Sequence, residues 1–260
     1  MSTVTAWQVI GGSIVMEKNI LFIGGSTGVN IHKDFSDVIL KDRKNTYNLT
    51  NLSILGAGNH YISGSFFEFL HYRPKPDYVF FKFTGLNRLD LPFNSKVKLD
   101  NYEFQSSRTG IHTGREAFQQ IEKNWVCSGG YTGSWLGQNI LKRIFSYMYD
   151  LKDHNSTNIQ SLAQIFNCLT LCETLNIPYN WTFYYDPTNP PSSSSKQDGN
   201  IEHMPDYIPR KNMLEMAPLN FSYYIGQAPN DGNHYGSEVF KQYLKHEPIY
   251  NKIIKTLGDI

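Results

Sequence analysis

Apolar positions in this chain gather into short runs that stop on glycine. Asn19 to Ile23 (NILFI) is a compact run ended by Gly24-Gly25, the pattern of a buried strand. Residues 27–40 (TGVNIHKDFSDVIL) set Val29, Phe35, Val38 and Ile39 on the inward side of a helix. Tyr47 to Leu55 predicts a second strand, ending at Gly56-Ala57-Gly58. A helix over about 60–72 follows and is stopped by Pro74 and Pro76. Asp77 to Phe83 (DYVFFKF) is β-branched and aromatic, a third strand that again ends near a glycine. Repeated strand–glycine–helix units at this spacing predict an α/β domain with a parallel central sheet.

The rest of the chain departs from that rhythm. Residues 1–18 are short and mixed, with Gly11-Gly12 and a second methionine at Met16, and read as an extension before a domain spanning 19–260. Residues 90–133 are polar, Gly-rich and aromatic with weak periodicity, which predicts an irregular insertion. Helical patterns resume at 134–150 and 156–176, the second opened by Ser156 or Thr157 as cap. Pro178 to Tyr185 reads as a fourth strand, and 236–257 as one closing helix. Pro187 to Gly199 (PTNPPSSSSKQDG) is a low-complexity surface loop that opens a second insertion over about 187–225.

Composition narrows the classes. The chain has 260 residues, 40% hydrophobic and 14% aromatic, enough to bury a large core without staples. Lys+Arg 24 against Asp+Glu 23 leaves net +1, which argues against nucleic acid or an anionic membrane as partner. Three cysteines are too few for a disulfide-built secreted fold. No apolar run approaches the roughly 18 residues of a membrane span. The N-terminal stretch MSTVTAWQVIGG has no signal-peptide character. The expectation is a cytoplasmic protein of a reducing compartment.

In an open parallel sheet, ligands collect beyond the carboxyl ends of the strands. Four polar or Gly-rich stretches fall there or near the end of the chain: Gly24-Gly25-Ser26-Thr27-Gly28, Gly56-Ala57-Gly58-Asn59, Gly85-Leu86-Asn87 and Asp231-Gly232-Asn233-His234. In this order they resemble the SGNH (GDSL-type) hydrolases, in the flavour found in tailed phages and marine bacteria. The resemblance covers about residues 19–90 and 226–257. It implies a flavodoxin-like three-layer α/β/α fold and a serine ester hydrolase, an esterase or carbohydrate deacetylase.

The roles it implies are physically coherent. Ser26 would be the nucleophile, His234 its base and Asp231 the group that holds the imidazole. Amides of Ser26 and Gly58 with the Asn87 side chain would form an oxyanion hole. No cofactor or metal is expected, and the substrate would be a small-molecule or carbohydrate ester. The rival reading is a non-catalytic SGNH-like module that is virion-associated or binds glycan, with virion or homo-oligomer contacts. Two blocks depart from the family: Gly25 replaces its usual acidic residue, and Arg88 follows the asparagine where Asp is common.

Other motifs carry less. Ser13 lies in a second Gly-Gly-Ser string but runs on into apolar Ile14-Val15, so it is the lesser candidate. Gly24-x-Ser26-x-Gly28 also fits a nucleophile elbow, yet it follows the first strand instead of lying well inside the chain. Nucleotide-binding glycine motifs are absent from the sequence. Cys168 and Cys172, four apart on a helix, read as core thiols, not zinc ligands. Tyr102, Phe104, Trp125 and Tyr131 in the first insertion are expected to wall the pocket, because that insertion leaves the strand end bearing Asn87.

Overall fold

Every position of Tyr78–Phe83 is buried, as a strand covered on both faces requires. The computed structural model describes residues 7–10, 13–25, 31–43, 46–54, 57–94, 111–112, 123–127, 147–148, 151, 153–184, 186–188, 201–214 and 237–258. Its elements begin with β1 (Trp7–Ile10), β2 (Ser13–Gly24), α1 (Ile31–Phe35) running into a π-helical turn (Ser36–Leu40), β3 (Thr46–Asn51) and α2 (Asn59–Tyr72). Then come β4 (Tyr78–Phe83), β5 (Asp90–Asn94), β6 (Ile111–His112), β7 (Lys123–Cys127) and α3 (His154–Thr174). The chain closes with β8 (Tyr179–Phe183), α4 (Ser237–Lys245) and α5 (Glu247–Leu257).

The central sheet is parallel in the order β3-β2-β4-β8. Counted along the chain, its strands lie 2-1-3-4, the flavodoxin-like order. Met213 bridges Trp181 in parallel beyond β8, at the place of a fifth strand. Strand alternation then sorts the core. Leu21, Ile23, Val79, Phe81, Phe83, Tyr179, Trp181 and Phe183 pack with residues of α2 and α3 on one face. Ile20, Phe22, Tyr78 and Phe80 pack with residues of α1, α4 and α5 on the other. The result is a three-layer α/β/α architecture around the parallel sheet that the periodicity predicts.

Several details differ from the sequence reading. The first strand of the sheet starts at Ser13, not Asn19, because Ser13–Met16 pairs antiparallel with Trp7–Ile10. The stretch read as an extension therefore holds a hairpin. The first insertion is not wholly irregular: β5, β7 and β6 form a small antiparallel sheet with Asp90 opposite Cys127 and Ile111 opposite Val126. The cap of α3 is Asp153, whose carboxylate accepts from the amides of Asn155 (3.3 Å) and Ser156 (3.0 Å), in place of Ser156 or Thr157. The closing helix is two helices parted at His246, with Pro248 in the first turn of α5. Helix 134–150 lies outside the described residues except for the helical pair 147–148. Most of Pro187–Gly199 lies outside them too. Among the described residues no helix is long and apolar enough to cross a membrane.

Candidate functional site

The connections that leave the neighbouring strands β2 and β4 lie on opposite faces: α1, after β2, belongs to one core cluster and α3, after β4, to the other. That reversal opens a crevice between the carboxyl ends of β2 and β4, where open α/β sheets bind ligands. The chain beyond β2 runs through Gly24-Gly25 toward Ser26, and the chain beyond β4 through Thr84-Gly85-Leu86 to Asn87. Both edges of the crevice are thus lined by motifs singled out in the sequence.

Close packing draws three of the four motifs together. A Cβ on Gly25 would lie 2.3 Å from the γ-methyl of Thr84 and 3.4 Å from the carbonyl oxygen of Ala57. There is no room for a side chain at this position unless Thr84 shifts. A Cβ on Gly58 would lie 2.7 Å from Asp90 Oδ2 and 2.8 Å from Arg88 Cβ. Glycine at 25 and 58 lets the ends of β2 and β4 and the start of α2 nest against one another.

Gly58 is the N-cap of α2 and has no side chain to cap with. Asp90 supplies the cap from a distance. Its Oδ1 accepts from the Gly58 amide (2.9 Å) and its Oδ2 from the Tyr61 amide (2.9 Å). One carboxylate thereby does both jobs of a capping box, with its charge at the positive end of the helix. The consequence for the expected oxyanion hole is direct: the Gly58 N–H is already bonded to a carboxylate.

Asn87 is almost wholly buried, and its loop is pinned by Asn59. Asn59 Oδ1 accepts from the Thr84 amide (2.9 Å), while its Nδ2 donates to the Thr84 carbonyl (3.2 Å) and to Ser161 Oγ (2.7 Å). The amide side chain extends the strand's hydrogen bonding by one residue and ties it to α3. Arg88 donates from Nη1 to the Ala57 carbonyl at 3.4 Å.

Beneath the crevice, on the α1 and α4 side, Lys82 is 1% exposed. Burial pushes its pKa well below the usual lysine range, and the Asp34 carboxylate opposes that shift. Its Nζ lies 4.8 Å from the centroid of the Phe240 ring, a second feature that favours the ammonium form. Near the start of α1, His32 Nδ1 is 2.9 Å from Asn51 Nδ2. Asn51 Oδ1 accepts from the Ser53 amide (3.0 Å), which turns the Asn51 NH2 toward the ring. The imidazole Nδ1 is therefore the acceptor, and its proton sits on Nε2.

Of the expected site residues, the structure describes Gly58 and Asn87. Ser26, Asp231 and His234 lie outside the described residues, as do Tyr102, Phe104 and Tyr131, while Trp125 falls on β7. Gly25 and Ser237, the nearest described neighbours of the Ser26 and His234 segments, bound the crevice sequence and start α4. Cys168 and Cys172 are core thiols as expected, with burial pushing the Cys168 pKa up to about 12. Among the described residues no three His, Cys, Asp or Glu side chains group as a metal site.

Three residues escaped the sequence reading. Asp90 read only as the first residue of an irregular insertion, since nothing local marks a cap that serves a helix 32 positions away. Asn59 ends the motif Gly56-Ala57-Gly58-Asn59 but carried no role in it. Lys82 did carry a signal: it is the single charge in the apolar run YVFFKF.

No protein-family model matches the chain, and no curated protein matches it. It is similar to the crystal structure of a psychrotrophic esterase, EstA, from Pseudoalteromonas sp., a structure inhibited by monoethylphosphonate. Identity is 12% and the TM-score 0.43, over 92% of this chain and 98% of that one. A likeness of that extent bears on neither the site nor its chemistry, which rest on the residues themselves.

Proposed function

We propose that the protein is a serine ester hydrolase of the SGNH type, acting on an acylated or acetylated carbohydrate. The observation that carries this reading is the nesting of Gly25 on Thr84 and of Gly58 on Arg88 and Asp90. It brings the chain leading to Ser26, the start of α2 and the loop of Asn87 to one crevice at the switch point of the sheet.

On this reading the Ser26 hydroxyl attacks the ester carbonyl carbon while His234 takes its proton, with Asp231 holding the imidazole. The tetrahedral intermediate collapses, the C–O bond to the alcohol breaks, and the imidazolium returns the proton to that leaving oxygen. Water then attacks the acyl-serine by the same base and frees the acid and Ser26. Neither half calls for a metal or a cofactor. Asn87 and the Ser26 amide supply the oxyanion donors, and the Gly58 amide joins them only if Asp90 gives it up.

The occupied Gly58 amide favours a second reading, a non-catalytic module in which the crevice binds glycan without turnover. One experiment separates the two: hydrolysis of p-nitrophenyl acetate and an acetylated oligosaccharide by wild type, Ser26→Ala, His234→Ala and Asn87→Ala. The enzyme reading expects the first two variants to be equally dead, since nucleophile and base act as one unit. It expects Asn87→Ala to lose roughly 10²–10³ in kcat, the size of one oxyanion donor. Full activity in Ser26→Ala removes the nucleophile assignment. An inactive, folded wild type that still binds the oligosaccharide favours the module.

A further inference from the structure

Lys82 stands in register with Gly24, and a Cβ on that glycine would lie 2.9 Å from Lys82 Cβ. The lysine stem therefore lies beside the last strand residues before Ser26. Its two charge-stabilising neighbours come from different elements. Asp34 belongs to α1, which follows residues 26–30. Phe240 belongs to α4, which follows the Asp231–His234 segment. A second tie runs alongside, for Lys241 Nζ meets Asp37 Oδ2 at 2.7 Å, again joining α4 to the α1 side.

Filling this space with an apolar side chain would be cheaper than burying an ammonium and a carboxylate. What the charges add is dependence on placement, because both ion pairing and contact with a ring face weaken as their partners move apart. We infer that Lys82 is a positioning residue: through Asp34 and Phe240 it holds α1 against α4, the two helices that follow Ser26 and the Asp231–His234 motif in the chain. This role rests on the proposed hydrolase reading.

The test compares wild type with Lys82→Met, the double variant Lys82→Met/Asp34→Asn, and Phe240→Leu. Readouts are the urea midpoint, kcat and KM on p-nitrophenyl acetate, and the rate at which a fluorophosphonate probe labels Ser26. The single lysine variant strands a buried carboxylate and should lower the urea midpoint; the double variant should recover it. With stability restored, kcat and labelling rate should still fall by about 10²-fold at nearly unchanged KM, as for a misplacement near 1 Å. A folded double variant with wild-type kcat overturns the role. If the double variant does not fold, Phe240→Leu carries the test, and unchanged kcat and labelling there overturn it equally. A wild type that neither hydrolyses ester nor takes the probe overturns the hydrolase reading and this role together, whereas active, unaffected variants overturn this role alone.

Discussion

The amide of Gly58 and the carboxylate of Asp90 are joined by a 2.9 Å hydrogen bond. The pair links the first residue of an insertion strand to the first turn of a core helix. A segment that could have hung loosely from the end of β4 is thereby anchored at its root.

Removing that anchor has a measurable cost. Asp90→Ala should destabilise the protein by about 2–3 kcal/mol, since two buried amides lose a charged acceptor. Asp90→Asn keeps one acceptor oxygen and should cost less. Urea denaturation of the three proteins gives the order; an Asp90→Ala midpoint equal to wild type contradicts the cap.

Gly25→Ala tests the close approach at the crevice. The added methyl meets the γ-methyl of Thr84 at 2.3 Å, so overpacking should cost about 1–3 kcal/mol. Thr84→Ser deletes that methyl and keeps the hydroxyl. The double variant Gly25→Ala/Thr84→Ser should therefore be more stable than the sum of the single effects allows. Simple additivity would mean that the two residues do not touch.

Asn59→Leu leaves the Thr84 amide, the Thr84 carbonyl and the Ser161 hydroxyl without their partner. At ~1–3 kcal/mol for each buried group left unsatisfied, and with some relaxation, a loss near 3 kcal/mol is expected. On the hydrolase reading, activity of the folded fraction should also drop, because the loop of Asn87 loses its brace. Stability within experimental error of wild type would show that water replaces the side chain at no cost.

His32 predicts a pH dependence of stability. Burial, and then Lys33, lower its pKa below the ordinary histidine value of about 6.5, with Asp34 opposing. The unfolded chain therefore binds the proton more tightly than the folded one. The contribution is whole above the unfolded pKa of about 6.5 and is lost as pH falls through the lower folded value. Protonation also turns Nδ1 into a donor facing the Asn51 NH2. Urea midpoints should decline as pH falls below about 6.5, and His32→Gln should flatten part of that decline. Identical slopes for the two proteins would remove His32 from the account.

What the sequence disclosed follows from how locally each feature is encoded. Strands β3, β4 and β8 and helix α2 were legible because their apolar runs end on glycine or proline. The break before α5 was also written in the chain, in Pro248, but continuous amphipathicity on both sides masked it. The hairpin of Trp7–Ile10 with Ser13–Met16 had its cue in Gly11-Gly12, outweighed by the mixed composition around it. The insertion sheet has strands of two to five residues, too short for alternation to register. Asp90 and Asn59 act across the fold, where no periodicity reaches. Gly58 shows the limit most clearly: its place was readable, and the carboxylate already bonded to it was not.

The division of the core between two faces also sets the order in which the chain can bury itself during synthesis. Leu21, Val79 and Phe81 find their cover in α2 and α3 once residue 174 has emerged. Ile20, Phe22, Tyr78 and Phe80 await Phe240, Leu244, Ile249 and Ile253, contributed by the last two helices. Until then that side of the nascent parallel sheet is covered only by α1, through Ile31, Phe35 and Ile39, and stays partly bare and adhesive, the kind of surface on which partly folded chains associate. A nascent chain halted before residue 237 should thus be a client for holdase chaperones, while one that has cleared residue 257 can close over its own exposed aromatics.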